Sequence, residues 1–234
     1  MVDIHNHLLY GIDDGSKSIE ESIDVLRDME KSGFTDIILT PHYISDSSYS
    51  NPRSNNLEKL EVLKEELKKN NISINLYLGN EIFIDENILD NLDKDVISSL
   101  NDTNYLLIEL PMSGEYVGYQ EIFKHLLSKG YKVVLAHPER YITFQEDFSK
   151  VYELEDIGVY FQSNIDSLVG KYGPKAEKTI IRLLRENKLS FLSTDIHHKK
   201  HDYDKWNEAK RIALKYVTEE VYDTLTRINP SLLV

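Results

Sequence analysis

Val2-Asp3-Ile4-His5-Asn6-His7-Leu8 opens the chain with alternating apolar and polar residues. A period of two is that of a strand, whose successive side chains point to opposite faces. His5 and His7 then share a face, where two imidazoles can converge on one point. Neutral imidazole is the commonest side-chain metal ligand. A pair near an N-terminus can be incidental; this one is informative because later strand-like runs also end in His, Asp or Glu.

Those runs follow in order. Thr35-Asp36-Ile37-Ile38-Leu39-Thr40 reads as a buried strand ending at Pro41-His42. Residues 72–78 alternate and arrive at Gly79-Asn80-Glu81, and Tyr105-Leu106-Leu107-Ile108-Glu109 ends on its own carboxylate. Lys132-Val133-Val134-Leu135-Ala136 leads to His137-Pro138-Glu139-Arg140. Val159-Tyr160-Phe161-Gln162 ends near Asn164, and Leu189-Ser190-Phe191-Leu192-Ser193 runs into Thr194-Asp195-Ile196-His197.

Helices fill most of the intervals. Ser18-Ile19-Glu20-Glu21 predicts a capping box, followed by Ile19, Ile23, Leu26 and Met29 on one face and a stop at Gly33. Further helices are expected over 57–67, 86–92, 122–130 and 148–157, from Pro174 through Leu184, and through Trp206 and Ile212. A polar loop spans 45–56. Strands alternating with helices imply a parallel sheet, and short right-handed crossovers favour closing it into a barrel. The expectation is a single α/β domain over 1–234, a TIM-like barrel of seven strands, nearly all followed by a helix. Functional residues in such a barrel sit at the C-terminal ends of the strands. Here those ends carry His5, His7, His42, Glu81, Glu109, His137, Asp195 and His197, with Asp14 in the loop after the first strand.

Composition narrows the function. The 234 residues are 41% hydrophobic and 29% charged, as in an ordinary folded domain, and long enough to bury a substantial core. A formal charge of −13 argues against a nucleic-acid binder, which needs a basic stripe. With no cysteine there is neither a disulfide framework nor a thiolate nucleophile or ligand. No apolar run suggests a membrane span and the start lacks a signal pattern, so a cytoplasmic location is expected. Buried carboxylates without partners are costly, whereas carboxylates on a metal are compensated. Nine imidazole and carboxylate ligands exceed the need of one ion. Without sulfur, the set suits Mn²⁺, Fe or Zn²⁺. Neighbouring ions imply hydrolysis of a phosphate ester.

Together, His5-Asn6-His7, Asp13-Asp14-Gly15, Thr40-Pro41-His42, Glu81, Glu109, His137-Pro138-Glu139-Arg140 and Thr194-Asp195-Ile196-His197-His198 resemble the successive motifs of the polymerase-and-histidinol-phosphatase (PHP) superfamily. More closely, they resemble its branch of bacterial metal-dependent protein-tyrosine phosphatases encoded with capsule and exopolysaccharide biosynthesis. The resemblance covers essentially the whole chain. It implies the PHP fold, a distorted (β/α)7 barrel, holding three divalent ions, usually manganese. By position, His5, His7, Glu81 and Asp195 would hold the first ion, with Glu81 bridging to a second completed by Glu109 and His137. Asp14, His42 and His197 would hold the third. Arg140 would contact the phosphate, and a metal-bridged hydroxide would attack it. The implied substrates are phosphotyrosines on the tail of a cognate bacterial tyrosine kinase.

One departure stands out. Some relatives carry a second phosphate-contacting arginine after the last metal-binding histidine, where this chain reads His198-Lys199-Lys200-His201. Lys199 or Lys200 could supply the charge, without arginine's bidentate fork. Other sequence readings compete with these roles. Asp14 could cap the next helix, and Arg140 could be an ordinary salt-bridged arginine. His125 is expected to be solvated and His198 and His201 to lie on a rim. Asn164 is expected to support the site, and Tyr43, Tyr49, Tyr116, Tyr119 and Tyr141 could flank a phenyl ring. The alternative activities are a PHP small-molecule phosphatase such as histidinol phosphatase, and a PHP phosphodiesterase.

Overall fold

The computed structural model describes residues 1–114, 117–198 and 204–234. In chain order its strands are β1 (Val2–Asp3), β2 (Asp36–Leu39), β3 (His42–Tyr43), β4 (Asn75–Leu78), β5 (Glu81–Phe83), β6 (Tyr105–Glu109), β7 (Lys132–Ala136), β8 (Tyr160–Asn164) and β9 (Phe191–Ser193). They pair in the orders β1-β2-β4 and β3-β5-β6-β7-β8-β9, and every pair is parallel.

Two of the predicted strands are therefore split. β2 and β3 flank Thr40-Pro41, where proline lacks the N–H a ladder needs. β4 and β5 flank Gly79-Asn80. Gly79 is glycine for want of space: a Cβ would lie 2.9 Å from Leu100 Cδ2 and 3.2 Å from Ile38 Cγ2. Hydrogen bonds still cross the interruptions, from Gly79 N–H to Leu39 O (2.8 Å) and from Glu81 N–H to Pro41 O (3.2 Å). At the other end, Asp195 N–H donates to His5 O (2.8 Å) and His7 N–H to Ile196 O (2.9 Å), with Asn6 and Ile196 forming a parallel bridge. The two sheets thus join at both ends into a ring of seven strand positions.

Alternation along the strands fills the ring and its outside separately. Ile38, Leu107 and Val134 join Val2, Ile4, Ala136, Phe191 and Leu233 in one buried cluster. Their neighbours Ile37, Leu39, Leu106, Ile108, Val133 and Leu135 belong to a larger cluster with helix residues such as Leu26, Leu63, Phe123 and Leu183. The interior is a packed core rather than a pore, as expected for a barrel of this size.

The helices follow the sequence expectations closely, with instructive differences. Helix Ile19–Lys31 starts at Ser18, whose hydroxyl accepts the N–H of Glu21 (3.3 Å). The Glu21 carboxylate accepts the N–H of Lys17 (2.9 Å), one residue before the cap. Gly33 follows at φ +89°, the left-handed stop the sequence predicts. Helix Arg53–Lys69 begins directly after Pro52 and shortens the expected 45–56 loop, because its first turn is polar and shows no apolar spacing. Helix Ile142–Glu146 and the 3₁₀ turns Pro138–Arg140 and Ile165–Val169 are too short to leave a periodic signal. No helix among the described residues is long and apolar enough to cross a membrane.

Candidate metal centre

The ring sets strand ends from all parts of the chain around one mouth. His5 and His7 follow β1, with ring centroids 5.5 Å apart. His42 opens β3, Glu81 opens β5, Glu109 ends β6, His137 follows β7, and Asp195 and His197 follow β9. His137 and Asp195 turn at φ +34° and +50°, backbone that residues with a Cβ rarely adopt. Such strain, on the order of 1–3 kcal/mol each, persists where surrounding structure imposes it. A glycine is required nearby: a Cβ on Gly15 would overlap the carbonyl and Cβ of His7.

Glu81 lies at the centre. Its Oε1 is 2.8 Å from His137 Nε2 and 3.2 Å from His5 Nε2, and its Oε2 is 3.2 Å from His7 Nε2 and 3.0 Å from His42 Nδ1. Glu109 approaches His137 Nε2 (3.6 Å) and His42 Nδ1 (3.7 Å). Asp195 Oδ1 lies 3.4–3.5 Å from nitrogens of His5, His7 and His197. Asp14 Oδ1 is 3.6 Å from both His42 Nε2 and His197 Nε2. All nine predicted ligands thus come together.

The donor set fits divalent cations. His5 Nε2, His7 Nε2, His42 Nδ1 and Glu81 Oε2 are buried without a hydrogen-bond partner, a costly arrangement unless something else satisfies them. The three imidazole nitrogens approach Glu81 oxygens to 3.0–3.2 Å without making hydrogen bonds, as neighbouring ligands around a shared ion do. Four overlapping groups offer ligand atoms within 4.8 Å of one another: His7, Asp14, His42 and His197; His5, His7 and Glu81; His5, His137 and Asp195; His42, Glu81 and Glu109. The grouping differs slightly from the one the resemblance implies, since His42 also faces Glu81 and Glu109.

Ionisation reflects this crowding. Burial, reinforced by the charges of Glu81 and Asp195, pushes the Glu109 carboxyl up to about 9. Burial disfavours the His5 imidazolium, but Glu81 and Asp195 outweigh it and hold the group at about 9. Burial and neighbouring His7 pull His197 down to about 4. The site therefore binds protons where a cation could take their place.

An outer set of polar groups aims the ligands. His5 Nδ1 meets Gln162 Oε1 at 2.7 Å; since that oxygen only accepts, the imidazole donates there and turns its other nitrogen inward. Gln162 Nε2 donates to Asn164 Oδ1 (3.0 Å), and Asn164 Nδ2 donates to Asp195 Oδ2 (2.6 Å). Asn164 thus has the supporting position the sequence suggests. Asp13 Oδ2 accepts from His7 Nδ1 (2.7 Å) and from the backbone N–H of His42 (2.8 Å). Burial opposes its ionisation, but His7 prevails and lowers the carboxyl to about 2. Fully buried Glu139 accepts from Ser163 Oγ, Asn164 N–H and Ser167 Oγ at 2.7–2.9 Å, fixing the turn between His137 and Arg140. Asp3 accepts from the N–H and hydroxyl of Thr194 (2.9 and 2.8 Å) next to Asp195.

The cluster floors a cleft of about 510 Å³, with Met112, Arg140, Lys171, Tyr172 and His198 among its walls. Arg140 Nη1 donates to Asp195 Oδ2 (2.9 Å). His198 pairs with Glu21 (3.3 Å) at the rim, and His125 is exposed, as expected. The tyrosine expectations fare unevenly. Tyr141 is buried and its hydroxyl accepts the N–H of Leu110 (2.9 Å), so it braces the site from behind instead of flanking a ligand. Tyr43 is buried as well, and Tyr119 packs edge-on against Phe123. Tyr49 stacks on His42, with 5.9 Å between centroids. Tyr116, Lys199, Lys200 and His201 lie outside the described residues. Asp3, Gln162 and Tyr172 were not singled out from sequence. Asp13 and Glu139 lie inside the motifs, where the sequence suggests no more than turn residues.

Residues 1–234 match the sequence profile of the family described as capsular polysaccharide synthesis, CpsB/CapC. The chain is 36% identical to CapC of Staphylococcus aureus over 202 residues, covering 84% of this chain and 77% of that protein. It is 34% identical over 200 residues to the tyrosine-protein phosphatase YwqE of Bacillus subtilis, covering 86% and 78%. A chain from the crystal structures of YwqE and Streptococcus pneumoniae CpsB, described as metal-dependent tyrosine phosphatases, superposes with a TM-score of 0.92 at 33% identity over 100% of this chain and 94% of that one.

Proposed function

As the chain belongs to the CpsB/CapC family of capsular polysaccharide synthesis proteins, we propose that it is a metal-dependent protein-tyrosine phosphatase whose substrates are phosphotyrosines on the tail of a bacterial tyrosine kinase. The reaction belongs in the cytoplasm, where the ATP that makes phosphotyrosine is found. The observation that carries the reading is the set of buried, unpartnered atoms on His5, His7, His42 and Glu81, facing a cleft that Arg140 also lines.

In this reading three divalent ions, manganese ahead of iron or zinc, would be held by His5, His7, Glu81 and Asp195, by Glu81, Glu109 and His137, and by Asp14, His42 and His197. When bound, such ions acidify water and neutralise phosphoryl oxygens. The rest falls to the chain. Gln162 and Asp13 fix the orientations of His5 and His7, so that each turns a lone pair inward. Arg140, held by Asp195 at one end, directs its remaining donors at phosphoryl oxygens as their charge grows. A tyrosine phenolate, with a pKa of about 10, leaves without a strong general acid. The absence of cysteine supports this route, because a thiolate mechanism has no nucleophile here.

The test compares turnover of a phosphotyrosyl peptide, histidinol phosphate and single-stranded DNA, before and after chelation and Mn²⁺ return. Loss on chelation, recovery with Mn²⁺ and preference for the peptide are expected. Preference for histidinol phosphate or DNA overturns the substrate, and full activity in chelator overturns the metal chemistry.

A further inference from the structure

Tyr172 takes no part in the proposed metal set, yet it lies against the residue expected to meet the phosphate. The Arg140 guanidinium carbon sits 4.4 Å from the centre of the Tyr172 ring. One guanidinium nitrogen is tied to Asp195, and the other donors make no hydrogen bond among the described residues. The side chain is therefore held at one end by Asp195 and against the face of a ring, with its remaining donors on the cleft that Tyr172 also lines. Arginine has four flexible side-chain torsions, and an ion pair through one nitrogen leaves the plane of the fork undefined. A cation over an aromatic face is held there by the ring's quadrupole, which restricts the fork's remaining freedom, and the attraction strengthens with partial desolvation. Lys171, also on this wall, is paired with buried Asp166 (3.0 Å) and lies farther from the same ring, 5.2 Å from its centre.

We propose that Tyr172 is a positioning residue that sets the plane of Arg140 for bidentate capture of the substrate phosphoryl group. The proposal rests on the phosphatase reading, and it deepens that reading by adding a residue outside the expected motif positions. No proton or electron moves through Tyr172; its ring acts through the guanidinium.

The test measures inorganic phosphate binding to the Mn²⁺-loaded protein by calorimetry, alongside kcat, KM and phosphate inhibition with a phosphotyrosyl peptide. Tyr172→Leu is expected to weaken phosphate binding about tenfold, the scale of a partly desolvated cation–π contact, with metal content unchanged. Tyr172→Phe keeps the ring and should restore binding to within about twofold. In an Arg140→Ala background, Tyr172→Leu should have no further effect. A merely structural role would instead lower kcat through loss of folded protein and leave the phosphate affinity of the remainder alone. Unchanged phosphate binding in Tyr172→Leu overturns the proposal, as does an equal loss in Tyr172→Phe or an effect that persists without Arg140. Failure of the substrate reading is distinct: the wild-type protein would then bind phosphate yet leave phosphotyrosyl peptide intact.

Discussion

Replacing Asp13 with alanine should weaken metal binding well before it weakens the fold. The carboxylate accepts from His7 Nδ1 at 2.7 Å, from the His42 N–H at 2.8 Å and from the Gly15 N–H at 2.9 Å, so one side chain sets two expected ligands from different strands. Removing the group that orients a ligating imidazole typically costs about 10–100-fold in metal affinity. That corresponds to roughly 1.4–2.8 kcal/mol. With two ligands dependent on it, the upper half of the range is expected. Asp13→Asn should fall between alanine and wild type, because its single oxygen can serve His7 while its amide nitrogen faces another N–H. The assay titrates Mn²⁺ against a chromophoric chelator and follows phosphotyrosine turnover with rising Mn²⁺. Affinity should fall and turnover should largely return at saturating metal. Unchanged affinity, or turnover lost at saturation despite unchanged affinity, would refute the orienting role.

Arg140→Ala should lower phosphotyrosine turnover by about 10²–10³, the scale of one lost charge-stabilising donor, with ion content preserved. Stripped ions or an unchanged rate in elemental and kinetic analysis would contradict its placement at the phosphate. Chelated protein should lose thermal stability as pH rises from about 7 to 9. Glu109 and His5, each held at about 9, and His7, held well above its ordinary value, bind protons in the folded state that the unfolded chain releases earlier. His197, lowered to about 4, is neutral in the folded state and nearly so in the unfolded chain over most of that window, so it adds little opposing slope. Saturating Mn²⁺ should flatten the trend, and melting curves in which stability instead rises over this window would refute it.

Much of this arrangement was legible beforehand, for identifiable reasons. Each strand carries its chemistry at its end, so the run Ile37-Ile38-Leu39 followed by His42, or Val133-Val134-Leu135 followed by His137, announces both an element and a ligand. The breaks at Pro41 and Gly79 were harder to see, because a buried strand and its continuation after a kink share one apolar pattern. The residues behind the ligands left a fainter trace. Asp13 and Glu139 look like turn residues until the distant His42 N–H, Ser163 and Ser167 are brought to them. Gln162 reads as the polar end of a strand, and only closure of the ring brings His5 against it. Tyr172 has no sequence signal, since its meaning comes from an arginine on another loop. Tyr141 misleads for the converse reason: it adjoins Arg140 in sequence, yet points into the core.

The hydrogen bonds from Asp195 to His5 and from His7 to Ile196 couple strand ends that most of this sequence separates. A nascent chain that has not yet released residue 195 can present histidines, but it cannot assemble this cage. Capture of ions by the full set must therefore wait until residues 195–197 have been made and docked against the first strand. Because ions that bind only the folded protein stabilise it more as their free concentration rises, the cellular supply of the metal would govern how long each newly made molecule stays closed.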